Sequence, residues 1–173
     1  MEHQLLEIKA RVESLEAVRK KLKALNAHFV GTFHQIDTFF NVPQGRLKLR
    51  MVKGEEKATL IYYEREDILG PKRSKALVLK ISEQELFRSF FEKVLGKKVV
   101  IDKRREIYVY EETQIHLDTV ENLGTFVEFE RKSKDFVKDN EIFEDLTIKL
   151  EIKNKDRLEG SYSDIALKNR SKY

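Results

Sequence analysis

The 173-residue chain contains no cysteine and only two prolines. Without cysteine it can have neither a disulfide framework nor a thiolate metal site. No apolar run approaches the roughly 20 residues of a membrane-spanning helix, so no membrane partner is expected. The opening MEHQLLEIKAR lacks the basic start and apolar centre of a signal peptide, which makes the cytoplasm the expected location. Pro43 and Pro71 sit beside glycine or polar residues and mark turns. With no low-complexity linker and no internal repeat, residues 1–173 read as a single domain.

What the chain has in abundance is charge. Charged residues make up 37% of it, against a usual share of about a quarter. The 11 Phe, 6 Tyr and periodic apolar runs indicate a folded chain rather than a disordered one. The net charge of +4 suits an anionic ligand without naming one.

Strand signals dominate. Leu6, Ile8, Ala10 and Val12 alternate with Leu5, Glu7, Lys9 and Arg11, while Leu47, Leu49 and Met51 alternate with Arg46, Lys48 and Arg50. Similar runs lie around 31–40, 57–65, 74–81, 98–110, 114–121 and 125–131. About eight strands joined mostly by short turns predict an antiparallel meander or barrel. Three helices interrupt them. Residues 14–26 place Leu15, Val18, Leu22 and Leu25 on one helical face. Ser82 and Glu85 have the spacing of a capping box, opening a helix that carries Leu86, Phe87, Phe90, Phe91, Val94 and Leu95, with Gly96 as a left-handed cap. Residues 134–150 repeat the pattern with Phe136, Ile142, Phe143, Leu146 and Leu150, and a short element follows near Gly160–Leu167. The fold class is α+β.

Alternate strand residues face opposite sides. One face of the first strand is apolar and the other reads Glu7, Lys9, Arg11; Lys103 and Arg105 share a face, as do His116 and Asp118, and Glu128 and Glu130. The residues admit two arrangements. The commoner is a half-solvated sheet with its charges outward. The other points the charges into a barrel lumen and covers the apolar faces with the helices; eight strands leave room for a small ligand. Apolar helix faces that need a partner favour the second, as does a segregation of bases to early strands and acids to late ones. A charged lumen must be paired, hydrated or matched by a ligand. A polyphosphate with Mg²⁺ or Mn²⁺ matches both halves, because Lys and Arg take phosphate oxygens and carboxylates hold hard cations.

Several segments then resemble, in order, the CYTH superfamily of triphosphate tunnel metalloenzymes, most closely its class IV adenylate cyclase-like branch. They are L-E-I-K-A-R (Leu6–Arg11), Q-I-D-T-F-F (Gln35–Phe40), G-R-L-K-L-R (Gly45–Arg50), Y-Y-E-R-E-D (Tyr62–Asp67), K-R-R-E-I-Y (Lys103–Tyr108), His116–Glu130 and S-Y-S-D (Ser161–Asp164). The resemblance implies an eight-stranded antiparallel tunnel with helices outside. It implies a triphosphate (ATP, thiamine triphosphate or tripolyphosphate) held by Lys9, Lys48, Arg50, Arg65, Lys103 and Arg105, all but Lys48 also being catalytic candidates. It implies Mg²⁺ or Mn²⁺ on Glu7, Asp118 and Glu128, with Glu130 as a helper, and Tyr162–Asp164 closing one end. One position departs from the family pattern: Leu5 stands where the signature has its first glutamate. His116 reads as a hydrogen-bonded wall residue, with a catalytic role as the alternative. The chemistry implied is cyclisation of ATP to cyclic AMP and pyrophosphate, or hydrolysis of a triphosphate. A non-catalytic polyphosphate- or RNA-binding module is the other class, and the acids Asp118, Glu128 and Glu130 argue against a nucleic-acid backbone. The sequence identifies no surface for a homodimer and leaves that partner open.

Overall fold

In the computed structural model, which describes residues 2–171, the alternating segments become eight strands: β1 (Glu2–Arg11), β2 (His28–Phe40), β3 (Arg46–Val52), β4 (Ala58–Arg65), β5 (Lys72–Ile81), β6 (Lys97–Tyr110), β7 (Thr113–Val120) and β8 (Gly124–Lys132). Four α-helices accompany them: α1 (Leu15–Ala24), α2 (Gln84–Leu95), α3 (Phe136–Lys149) and α4 (Tyr162–Arg170). All strand pairs are antiparallel, and they close into a barrel in the order β1-β5-β4-β3-β2-β6-β7-β8. Two meanders, β2–β5 and β6–β8, are linked through α2, and β1 seals the gap between them.

The apolar strand faces point outward and the helices cover them. Leu6, Ile8 and Ala10 of β1 join Ile115, Leu117, Val127 and Phe129 under Leu15, Val18 and Leu22 of α1 and Phe143 and Leu146 of α3. Each fully buried leucine here, such as Leu6 or Leu22, is worth about 2–5 kcal/mol on truncation to alanine. On the other side Phe40, Leu49, Ala58 and Ile81 lie under Phe87, Phe91 and Leu95 of α2. A third cluster fills one end of the barrel, where Phe39, Tyr63, Val99, Ile101, Val120 and Phe126 pack with Tyr162 at the start of α4.

The caps hold two corrections. Ser82 and Glu85 form no capping box: β5 stays paired through Ile81, opposite Ala58, and α2 opens one residue later with Glu83 at its N-cap and no side-chain bond. Gly96 does end α2 with positive φ, but its φ 79° and ψ 142° lie outside the left-handed helical region. A capping box does form at Ser161 and Asp164, where it fixes the start of α4. Among the described residues, no helix is long and apolar enough to cross a membrane.

Candidate functional site

Alternation along the strands drives charge into the lumen. The cavity there holds about 300 Å³, and seven Lys or Arg and four Asp or Glu side chains line it. These charges are arranged in two networks with opposite stoichiometry.

In the first, one carboxylate serves three bases. Asp37, on β2 between β3 and β6, is 1% exposed. It accepts a two-pronged contact from Arg50 (2.7 and 2.7 Å), one from Lys48 Nζ (3.1 Å) and one from Lys103 Nζ (3.2 Å). Burial pushes the Asp37 carboxyl up, but Arg50, Lys103 and Lys48 together hold it well below the usual carboxylate range. The lysines move the other way. Burial and the Arg50 charge bring Lys48 down to about 8 despite Asp37. Burial and Arg105 push Lys103 well below its ordinary value.

In the second, one guanidinium holds two carboxylates. Arg105 donates to both oxygens of Asp118 (2.7 and 2.6 Å) and to Glu128 (2.6 Å). Glu128 also pairs with Lys9 (2.8 Å) and contacts His116 Nδ1 (3.1 Å). Burial would raise both carboxyls, yet Arg105 holds Asp118 at about 2, and Lys9 and Arg105 hold Glu128 well below normal. Both His116 nitrogens are engaged, the second with Gln114 at 3.1 Å, so this histidine is a wall residue.

Between the networks, Glu7 pairs with Arg65, whose side chain is 2% exposed. Glu130 stands directly opposite Glu7 in the β1–β8 register and lines the same cavity, with no ion pair among the described residues. Like charges placed directly opposite repel, and Arg65 neutralises only Glu7 of this pair.

The far end is closed. Leu158 N–H donates to Lys9 O (2.9 Å), and the buried Lys72 donates to Leu158 O, strapping the segment before α4 across the barrel. Tyr162 then enters the lumen, donates to Asp118 (2.6 Å) and lies under Lys9 Nζ, 4.2 Å from its ring centroid. Arg46 ties Asp164 to the rim at 2.9 Å.

Nine of the ten sequence candidates line this one cavity: Lys9, Lys48, Arg50, Arg65, Lys103, Arg105, Glu7, Glu128 and Glu130. Asp118 does not line the cavity and sits behind Arg105. The segregation of bases to early strands and acids to late ones does not hold, because Asp37 lies among the early bases and Lys103 and Arg105 stand beside the acids. Asp37, Lys72 and Lys132 are additions. Asp37 had a signal, since it shares its strand face with Gln35 and Phe39. Among the described residues, no three His, Asp or Glu side chains are gathered to hold a metal ion; Asp118, Glu128 and Glu7 are each bonded to a base.

A family model for the CYTH domain matches residues 3–162. The chain belongs to the CYTH domain family. A Methanocaldococcus jannaschii protein named "putative adenylate cyclase" is 29% identical over 153 residues, covering 82% of this chain and 84% of its own length. A solved Pyrococcus horikoshii structure superposes with TM-score 0.84 at 26% identity, covering 95% of this chain and 98% of that one. A Hippeastrum protein, described as a putative adenylyl cyclase with a dominant triphosphatase activity, shares the fold with TM-score 0.68 at 17% identity, covering 96% of each chain. Against the CYTH signature, the position of the first glutamate is filled here by Leu5, which faces the cavity beside Glu7.

Proposed function

We propose that this CYTH chain is a divalent-metal-dependent enzyme acting on a triphosphate, of class IV adenylate cyclase type, converting ATP to cyclic AMP and pyrophosphate. The observation that carries the reading is the excess of bases over carboxylates in a lumen closed at one end. Asp37 occupies the three bases that a phosphate chain would take. Phosphate oxygens would replace it on Lys48, Arg50 and Lys103, with Lys9, Arg65 and Arg105 completing the cradle. Held in place before substrate arrives, such donors favour the charge that gathers on the leaving pyrophosphate.

Among the described residues, the carboxylates that would hold a divalent cation are not gathered around one point, because Glu7 and Glu128 are bonded to bases. The oxygens of Glu7, Glu128 and Glu130 suit Mg²⁺ or Mn²⁺, and the facing pair Glu7 and Glu130 is relieved by a cation. Such an ion would supply charge neutralisation and Lewis acidity toward a phosphoryl oxygen. Asp118 and Glu128 are held by Arg105. When Arg105 turns to phosphate it frees them, so metal and triphosphate would enter as one complex.

Hydrolysis by an attacking water is the second reading, favoured by the triphosphatase activity ascribed to the Hippeastrum protein. It needs the same cradle and no site for a nucleoside. The test is to incubate the purified protein with ATP, thiamine triphosphate and tripolyphosphate, each with Mg²⁺ or Mn²⁺, and resolve the products. Cyclic AMP with pyrophosphate supports the cyclase; orthophosphate supports the hydrolase. No turnover of any of them would remove the enzyme reading.

A further inference from the structure

The inward faces of three neighbouring strands change character along their length. On β1 the face reads Lys9, Glu7, then Leu5; on β5 Lys72, Ser74, then Ala76 and Val78; on β4 Arg65, Tyr63, then Ile61. β1, β5 and β4 are adjacent in the barrel, and Ile61 and Val78 are direct cross-strand partners. Leu5, Ile61, Ala76 and Val78 all line the cavity, and all but Ala76 are only part-buried. They form an apolar shelf on one wall; Arg105 of β6, across the barrel, keeps the facing wall charged, and Glu130 of β8 and Arg50 of β3 put charge on the strands that flank the shelf.

The shelf lies away from the closed end. Tyr162 and Leu158 block the side of Lys9 and Lys72. At the other side Leu5, Glu130 and Lys132 also border a surface pocket with Gln114 and Lys134. A ligand entering phosphates first would reach the bases and leave its other end on the shelf. An inorganic phosphate chain gains nothing there, because an apolar wall strips water from a charged oxygen without replacing its hydrogen bonds. A planar apolar group buries its surface there and keeps its polar edge toward the facing wall.

We infer that Leu5, Ile61, Ala76 and Val78 form a specificity shelf that selects organic triphosphates carrying a flat ring system over inorganic tripolyphosphate. This rests on the reading of the lumen as a triphosphate site. It also gives Leu5 a positive role, contact with the organic group, at the position where the family signature has a carboxylate.

The experiment is equilibrium binding by calorimetry with Mg²⁺ present, comparing ATP, thiamine triphosphate and tripolyphosphate on wild type, Ile61→Thr and Leu5→Gln. Thermal melts check that each variant folds, and Ile61→Val serves as the conservative control. Wild type should bind at least one organic triphosphate about tenfold more tightly than tripolyphosphate, and Ile61→Thr and Leu5→Gln should each erase most of that ratio. Ile61→Val should keep it. Equal losses for all three ligands, or a wild-type preference for tripolyphosphate, would overturn the shelf while leaving the triphosphate site standing. Failure of wild type to bind any of the three would remove the triphosphate site, and the shelf with it.

Discussion

The two halves of the lumen solve the same problem in opposite ways. Around Asp37 a single carboxylate is shared by Arg50, Lys48 and Lys103, so the cluster keeps net positive charge. Around Arg105 the charges of Arg105 and Lys9 are balanced by Asp118 and Glu128. The first cluster is short of anions and the second is closed on itself. A phosphate chain is therefore expected to dock on the Asp37 side first, and the carboxylate side to open only when Arg105 gives up its partners.

The largest effect that would test this contrast is Arg105→Met. It leaves Asp118 and Glu128, both nearly solvent-free, without their shared cation. Removing one partner of such a buried network costs about 3–5 kcal/mol. Urea unfolding should show this loss, and a loss under about 1 kcal/mol would mean that Lys9 and Tyr162 suffice to hold the acids. The same reasoning bears on Glu128. Its bonds to Lys9, Arg105 and His116 mean that Glu128→Ala would disturb the fold as well as the metal set, so it is a poor probe of metal binding alone.

Asp37→Asn comes next. Three bases then lose their counter-charge, and the ligand-free protein should lose about 3 kcal/mol. A polyphosphate replaces that charge. Tripolyphosphate should therefore raise the melting temperature of Asp37→Asn more than that of wild type. An equal rise in both would show that the phosphate chain does not take the place of Asp37.

The Asp37 cluster also marks where the sequence stops being legible. The strands were readable because apolar and polar residues alternate, and the direction of the charged faces was readable because α1, α2 and α3 carry apolar faces that need a sheet to cover. Asp37 was visible within Gln35–Phe40, but its role depends on β6 lying beside β2. That pairing joins residues 66 apart, Asp37 and Lys103, and no local pattern announces it. The Arg105–Asp118 contact spans one hairpin, β6–β7, and lay closer to hand. The start of α2 was misplaced for the converse reason: Ser82 and Glu85 have the capping spacing, and the pairing of Ile81 with Ala58 overrides it.

A smaller effect separates metal from phosphate. Glu130 makes no ion pair among the described residues, so Glu130→Gln should leave stability nearly unchanged or improve it by relieving repulsion with Glu7. Turnover should still fall by at least about tenfold at limiting Mg²⁺ and recover partly as Mg²⁺ is raised. Loss of stability without a change in metal dependence would make Glu130 a structural residue.

The smallest effect concerns pH, and it concerns only the Asp37 side. Burial and Arg50 bring the Lys48 pKa down to about 8 from its ordinary 10.5. Between these two values the unfolded chain holds a proton that the folded protein has released. The ligand-free protein should therefore gain stability from this group as pH rises from 8 toward 10.5, and below pH 8 carry the full cost of burying the charge. Lys103 is shifted in the same direction. Binding runs the other way, because a neutral lysine is a weaker phosphate donor. Affinity for tripolyphosphate should fall roughly threefold between pH 7 and pH 9, since a charge-assisted hydrogen bond is about twice as strong as a neutral one. Lys48→Arg supplies the control: a guanidinium stays charged throughout, so part of the pH slope should vanish. If the slope is unchanged in Lys48→Arg, Lys48 does not meet the phosphate chain, and the anion-poor half of the lumen must be redrawn around Arg50 and Lys103.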